Sequence, residues 1–288
     1  MLGLKRGTVR LCPHETEWEA EAARTIAVLR ELLGDAAAEI QHVGSTAVNT
    51  IMAKPIVDIA VAAEDFGRVL EKRPVLEQAG FHYRPGSLEG QLLFAKGSFY
   101  EGTGELQTHF IHVVKKDGAD WRNYIQFRDY LNAVPRAAKE YETLKCALAW
   151  ACPEDAGREK YLAGKHAFIV RSLRTAAAWA FMGQTVHIVI DRPVGYVHRS
   201  GGFETVYPVN YGYLPGVPGG DGEALDVYLL GVNGPVSEAD ATVISVVRRK
   251  DDEEDKLIAA PAGVRFSKEQ MEEAVRFQEQ WFDAEVLC

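Results

Sequence analysis

Three carboxylates, Asp221, Glu223 and Asp226, fall within six residues of the stretch YPVNYGYLPGVPGGDGEALDVYLLG. The first two sit on a loop that Gly220 and Gly222 allow to turn sharply, and the third enters a strand-like run. Carboxylates spaced i, i+2 and i+5 on such a loop can converge on a hard dication. Mg²⁺ suits them, since it prefers oxygen ligands, keeps several waters and is completed by substrate phosphates. A second acidic run, Asp251, Asp252, Glu253, Glu254 and Asp255, precedes Lys256 between two strand-like runs, which places it at a hairpin tip. Alone, such a run is a solvated turn. Two acidic loops in one small β-domain, with a lysine opening the next strand, predict metal-assisted chemistry on a phosphate.

The N-terminal part has its own constellation in HVGSTAVNTIMAKPIVDIAV. A Gly44-Ser45 turn is followed by Lys54 and then by Asp58 in a strand-like run. This matches the start of the nucleotidyltransferase pattern, in which a Gly-Ser turn cradles triphosphate and strand carboxylates hold Mg²⁺. The second carboxylate of that pattern is replaced by Ala60. His42, His109 and His112 lie on neighbouring strand-like segments. His109 and His112 are three apart on one of these, so they point to opposite faces and His112 is favoured for the site. A phosphate or nucleotide pocket built from His42, Gly44, Ser45, Lys54, Asp58 and His112 is expected, with Arg128 and Lys165 as further phosphate contacts or surface ion-pair members.

The elements that must position these groups read as α+β. A helical pattern over 15–33 precedes the strand-like AEIQHV and PIVDIAVA; a second, broken by Pro74, covers 65–79. QLLFAK and THFIHVVKK follow as strands, then three helices near 121–131, 135–150 and 158–180. After Gly183 the character changes to short β-branched runs with Gly/Pro turns, and the helix SKEQMEEAVRFQEQWF closes the chain. The expected domains are residues 1–180, a mixed sheet with helices, and 181–288, a small barrel with a terminal helix.

Charge follows the same division. Of 288 residues with formal net charge −9, all the excess acidity lies from Gln184 onward. That argues against broad nucleic-acid binding and suits a carboxylate-lined site. No apolar run is long enough to span a membrane. Cys12, Cys146, Cys152 and Cys288 form no CxxC pair, which fits unpaired thiols in a reducing, cytoplasmic setting.

From about residue 185 to 288 the chain resembles the family I soluble inorganic pyrophosphatases. Their YPxNYGY segment is matched by residues 207–213, their DxDPxDV signature by 221–227, and their acidic-lysine element by Glu254-Asp255-Lys256 before an apolar strand and Pro261. The resemblance implies an OB-like five-stranded barrel and Mg²⁺-dependent hydrolysis of pyrophosphate. It assigns metal binding to Asp221, Asp226, one of Asp251 and Asp252, and Glu254 or Asp255, with Asp191 in support. It places Glu223 beside the attacking water, Lys256 on phosphate, and Tyr211 as a hydrogen-bond donor. The sequence departs from the family where Glu223 replaces an aspartate and where Trp281-Phe282 stand in place of a Tyr-Lys pair. The family's early Lys and Arg have only His198 and Arg199 as candidates.

Residues 10–172 resemble the GrpB family, also called UPF0157, through HVGSTAV, AKPIVDI, THFIHVV, FRDYL and the Tyr161/Lys165/Phe168 set. The fold implied there is nucleotidyltransferase-like. Expected partners are pyrophosphate or another small phosphoanhydride, a nucleotide at the N-terminal part, and a second copy of the chain in a homo-oligomer. The competing reading is a nucleotide- or phosphate-binding protein with a degenerate, non-catalytic barrel.

Overall fold

The computed structural model describes residues 2–98, 106–152, 157–200 and 202–288. The chain forms two compact units, Met1–Val170 and Arg171–Cys288.

In the first unit, β1 (Leu4–Lys5) precedes helix α1 (Glu17–Leu33), then β2 (Glu39–Val43) and β3 (Val57–Ala63). The helical stretch containing Pro74 resolves into two helices, α2 (Phe66–Glu71) and α3 (Arg73–Gln78). Pro74 sits in the first turn of α3, where its missing N–H costs nothing. Strands β4 (His82–Tyr83), β5 (Leu92–Ser98) and β6 (Leu106–Lys115) follow, then helices α4 (Ala119–Ala133), α5 (Pro135–Ala151) and α6 (Arg158–Trp179).

The sheet runs β2-β3-β6-β5-β4, with β1 also on β6. β3 and β6 pair in parallel, whereas the other pairs are antiparallel. Apart from Asp58, β3 is apolar on both faces because both are covered. Val57, Ile59 and Val61 pack with Trp18, Leu29 and Leu33 of α1, while Ala60 and Ala62 pack with Val43, Val114 and Trp121 of α4.

The second unit contains the last turns of α6 and then β7 (Thr185–Arg192), β8 (Val197–Ser200), β9 (Phe203–Val206), β10 (Asn210–Pro218), β11 (Ala224–Leu229), β12 (Glu238–Arg249) and β13 (Lys256–Ala260). The order β13-β11-β10-β7-β12 closes on itself through β12–β13 pairing, a five-stranded barrel. β8 and β9 form a separate hairpin. The chain does not end in a helix, as the sequence suggested. Helix α7 (Lys268–Glu279) stops and β14 (Ala284–Leu287) adds to the outer side of β12. A capping box of Ser267 and Gln270 starts α7, and Met271 and Val275 press its apolar stripe onto Tyr228, Val247 and Ile258.

Candidate active site

Three barrel strands converge on one lysine. Tyr211 lies opposite Tyr228 on antiparallel β10 and β11, which brings Tyr213 opposite Asp226. β13 runs parallel to β11 with Val227 beside Leu257, so Lys256 enters next to Asp226. The Lys256 ammonium donates to Asp226 Oδ2 at 2.5 Å, to Tyr211 Oη at 2.6 Å and to Glu254 Oε2 at 2.7 Å. The Tyr211 hydroxyl donates in turn to the same Asp226 oxygen.

Lys256 and Tyr211 are buried, while a quarter of the Asp226 side chain remains open to solvent. Burial works against ionised Asp226, yet the Lys256 charge and the hydrogen bonds from Glu254, Lys256 and Tyr211 outweigh it and hold the carboxyl below its ordinary value. Glu254 goes the other way, pushed up to about 7 by burial and by its hydrogen bond to Asp226. Burial, with Asp226 beside it, keeps Tyr211 protonated.

Arg192 is a member that sequence reasoning missed. Its guanidinium donates to Tyr207 Oη at 2.6 Å and lies 5.5 Å and 5.2 Å from the ring centres of Tyr207 and Tyr211. It ends β7, whose register on β10 sets Arg192 opposite Tyr211. The neighbouring Asp191 is raised by burial, and Asp226 adds to the rise.

The remaining carboxylates are engaged elsewhere. Asp221 accepts from the Glu223 amide at 2.9 Å on an exposed loop, and Glu223 itself is exposed. Asp251 accepts from the Asp283 amide at 2.8 Å. Asp252 pairs with Arg249 at 2.8 Å, and Arg249 grips Glu279 with two further donors at 2.7 and 2.8 Å. Asp255 is 1% exposed and accepts from Thr175 Oγ1 at 2.6 Å, Arg174 Nη2 at 3.0 Å and the Arg249 amide at 3.0 Å. Of the pair Glu254 and Asp255, then, Glu254 reaches the lysine and Asp255 fastens the hairpin.

The two acidic loops do adjoin. A side chain on Gly220 would collide with the Glu253 carbonyl oxygen and Arg174 Cδ, so this contact requires glycine. The structure does not place Arg199 at the cluster. It pairs with Glu204 at 2.7 Å on the outer hairpin, where His198 also lies. Trp281 is exposed, and Phe282 lies beneath Arg249 with 3.7 Å between guanidinium carbon and ring centre.

Among the described residues no three His, Cys, Asp or Glu side chains stand as a ready-made ligand set. Asp221, Asp251, Asp252 and Asp255 are engaged apart from Lys256, where Asp226 and Glu254 meet. A single Mg²⁺ needs only one or two carboxylates plus water and substrate oxygens, a donor set that Asp226 and Glu254 could supply. Burial is the main cause of the upward shifts of Glu254 and Asp191, with Asp226 adding to both.

In the N-terminal unit a cavity of about 430 Å³ is lined by Ser45, Lys54, Asp58, His112 and Lys165, all expected at a pocket. Gly44 turns with φ 71° directly against Asp58. His112 sits 3.4 Å from Asp58 Oδ1 through Nε2 and 3.1 Å from Tyr124 Oη through Nδ1. His109 is on the opposite face, against Thr25 at 3.2 Å and Glu21 at 3.3 Å. His42 must be removed from the pocket. Its neighbour Val43 lies opposite Asp58 in the β2–β3 register, so the alternation of β2 turns His42 to the other face, where it meets Thr46 at 3.0 Å. Arg128 is likewise withdrawn, holding Gln41 Oε1 and the His42 carbonyl, each at 2.9 Å. The cavity also recruits Arg158, Tyr161, Phe110 and Arg84, from segments distant in sequence.

Residues 8–175 match the family model described as GrpB protein. The chain belongs to the GrpB family. Residues 184–284 match the model for inorganic pyrophosphatase, so a pyrophosphatase domain follows the GrpB domain. The GrpB part is 39% identical over 157 residues to the glutamate-rich protein GrpB of Alkalihalophilus pseudofirmus, covering 54% of this chain and 89% of that one. It is 29% identical over 152 residues to the UPF0157 protein YqkA of Bacillus subtilis, covering 52% of this chain and 42% of that protein. The crystal structure of the conserved protein GrpB from Enterococcus faecalis superposes with a TM-score of 0.52 at 28% identity, over 58% of this chain and 96% of that one. Among the described residues no helix is long and apolar enough to cross a membrane.

Proposed function

We propose that the C-terminal barrel hydrolyses inorganic pyrophosphate or a related small phosphoanhydride with the help of Mg²⁺. The observation that carries this reading is the buried Lys256 ammonium, shared by Asp226, Glu254 and Tyr211 within the span that matches the pyrophosphatase model.

Asp226, Glu254 and Asp191 would hold the ion, which when bound neutralises phosphate oxygens and eases loss of a proton from water. The chain's own residues supply positioning and charge. Lys256 would offer its ammonium to a phosphate oxygen, positioned by Asp226, Glu254 and Tyr211. Arg192 donates to Tyr207 through Nη1 and lies 3.9 Å from Asp191 through Nε, which leaves Nη2 to reach the leaving phosphate. Tyr211 keeps its proton and fixes the Asp226 oxygen. In the reaction a water oxygen bonds to one phosphorus as the bridging P–O bond breaks, and the two water protons end on the two phosphate products.

A second reading, a phosphate-binding barrel without turnover, is favoured by the prior engagement of Asp221, Asp251, Asp252 and Asp255. Phosphate release from pyrophosphate, with Mg²⁺ and with EDTA, separates the two. Release that needs Mg²⁺ and is lost in Asp226→Asn supports hydrolysis. Mg²⁺-independent pyrophosphate binding without release supports the second reading.

A further inference from the structure

The N-terminal cavity holds more positive charge than its own residues neutralise. Lys54, Arg158 and Lys165 line it, and Asp58 is the one carboxylate among its described lining residues. Among the described residues no carboxylate is ion-paired with either lysine; both rest on one aromatic ring, Lys54 Nζ 4.4 Å and Lys165 Nζ 4.8 Å from the centre of Tyr161. Arg158 lies 5.9 Å from the Phe110 ring centre. Ring faces stabilise a cation only modestly, and far less than a second full charge would. The strain shows in the lysines. Burial, then Lys165 and Arg158, pulls Lys54 down to about 8, and burial also lowers Lys165.

Lys5, Arg6 and Arg84 add to the cationic lining, and the remainder is of other kinds. Ile56 and Phe110 give an apolar wall, and Asp58 opens to the cavity with His112 behind it and Tyr124 behind His112. A purely inorganic anion would meet Asp58 as a like charge and leave the wall unused. A ligand with an anionic end and a hydroxylated organic part would use each kind of lining: phosphate oxygens on Lys54, Arg158 and Lys165, a hydroxyl donating to Asp58, and carbon surface on Phe110. A volume of about 430 Å³ suits a molecule of that kind.

We propose that this cavity of the GrpB unit binds an organic phosphate, with its anionic end on Lys54, Arg158 and Lys165 and a ligand hydroxyl on Asp58. The site is separate from the Lys256 cluster, and its failure would leave the pyrophosphatase reading standing.

The test is calorimetric titration of the full chain with ATP, ribose 5-phosphate and inorganic pyrophosphate, in EDTA at low salt. One of the two organic phosphates should bind roughly tenfold or more tightly than pyrophosphate, and which one does so distinguishes a nucleotide from a sugar phosphate. Lys165→Met should weaken that binding by at least about tenfold, Lys165→Arg should stay within about threefold, and Asp226→Asn should leave it unchanged. The Arg variant guards against reading misfolding as lost contact. Absence of binding by all three probes overturns the proposal. So does Lys165-dependent pyrophosphate binding as tight as that of the organic phosphates, an unaltered affinity in Lys165→Met, or a loss in Asp226→Asn equal to that in Lys165→Met.

Discussion

A Cβ atom on Gly44 would stand 2.5 Å from Oδ2 of Asp58. The backbone there, φ 71° and ψ −169°, is a region open in practice only to glycine. The Gly-Ser turn is therefore fitted to the carboxylate it faces. Gly44→Ala should destabilise the GrpB unit by about 1–3 kcal/mol, read as a lower thermal midpoint. Adding Asp58→Ala should recover part of the loss, since it removes the colliding oxygen and leaves only the backbone strain.

At the lysine cluster the contacts predict a loss of turnover. Lys256→Met removes the donor that Asp226, Glu254 and Tyr211 share and strands two carboxylates around an apolar side chain. Phosphate release should fall about 10²–10³-fold, the range for losing one preorganised charge donor. Arg192→Ala should lower it less, with the loss weighted toward KM if Arg192 holds substrate. Steady-state rates with Mg²⁺ check both.

Asp255 should behave differently from Asp226. Its buried oxygens fasten Arg174, Thr175 and the Arg249 amide, so Asp255→Ala leaves a guanidinium without its counter-charge. A cost of about 3–5 kcal/mol is expected, seen in the unfolding of the barrel. If the main effect were instead a higher Mg²⁺ requirement with unchanged stability, Asp255 would belong to the metal site after all.

His42 and His109 give the GrpB unit an acid-sensitive term. Burial lowers each from 6.5 to about 4, so both are neutral in the folded chain over that interval while the unfolded chain takes up protons. The unfolded state then binds more protons, and stability, complete above pH ~6.5, declines as pH falls towards 4 by up to ~1.4 kcal/mol per pH unit for each histidine. Thermal midpoints between pH 7 and 4 should drop less steeply in His42→Gln than in the parent chain.

The sequence made the strand-borne part of the site legible. Tyr211, Asp226 and Lys256 sit in motifs whose residues stay in register once β10, β11 and β13 pair, so spacing carries over into space. Loop and cross-element contacts did not carry over. Glu254 and Asp255 are adjacent carboxylates, and the end of α6, which supplies Arg174 and Thr175 to Asp255, separates their roles. Arg192 was hidden because its partner Tyr207 lies fifteen residues on, across the β8–β9 hairpin. Strand alternation alone leaves the face of His42 open, and the pairing of Val43 with Asp58 fixes it. Arg128, on α4, reaches β2 across 86 residues, a contact no local pattern announces.

The clamp on the acidic hairpin bears on where this chain can be cut. Arg174 and Thr175 fall at the tail of the segment that the GrpB family model claims, ahead of residue 184, where the pyrophosphatase match begins. Yet they pack within the C-terminal unit and hold its Asp255. A barrel expressed from residue 184 would leave behind the residues that tether its acidic loop, however faithfully the motif was kept. The pyrophosphatase match thus begins at residue 184, thirteen residues after the compact C-terminal unit does at Arg171, and anyone transplanting this barrel must carry the last stretch of its neighbour's helix along.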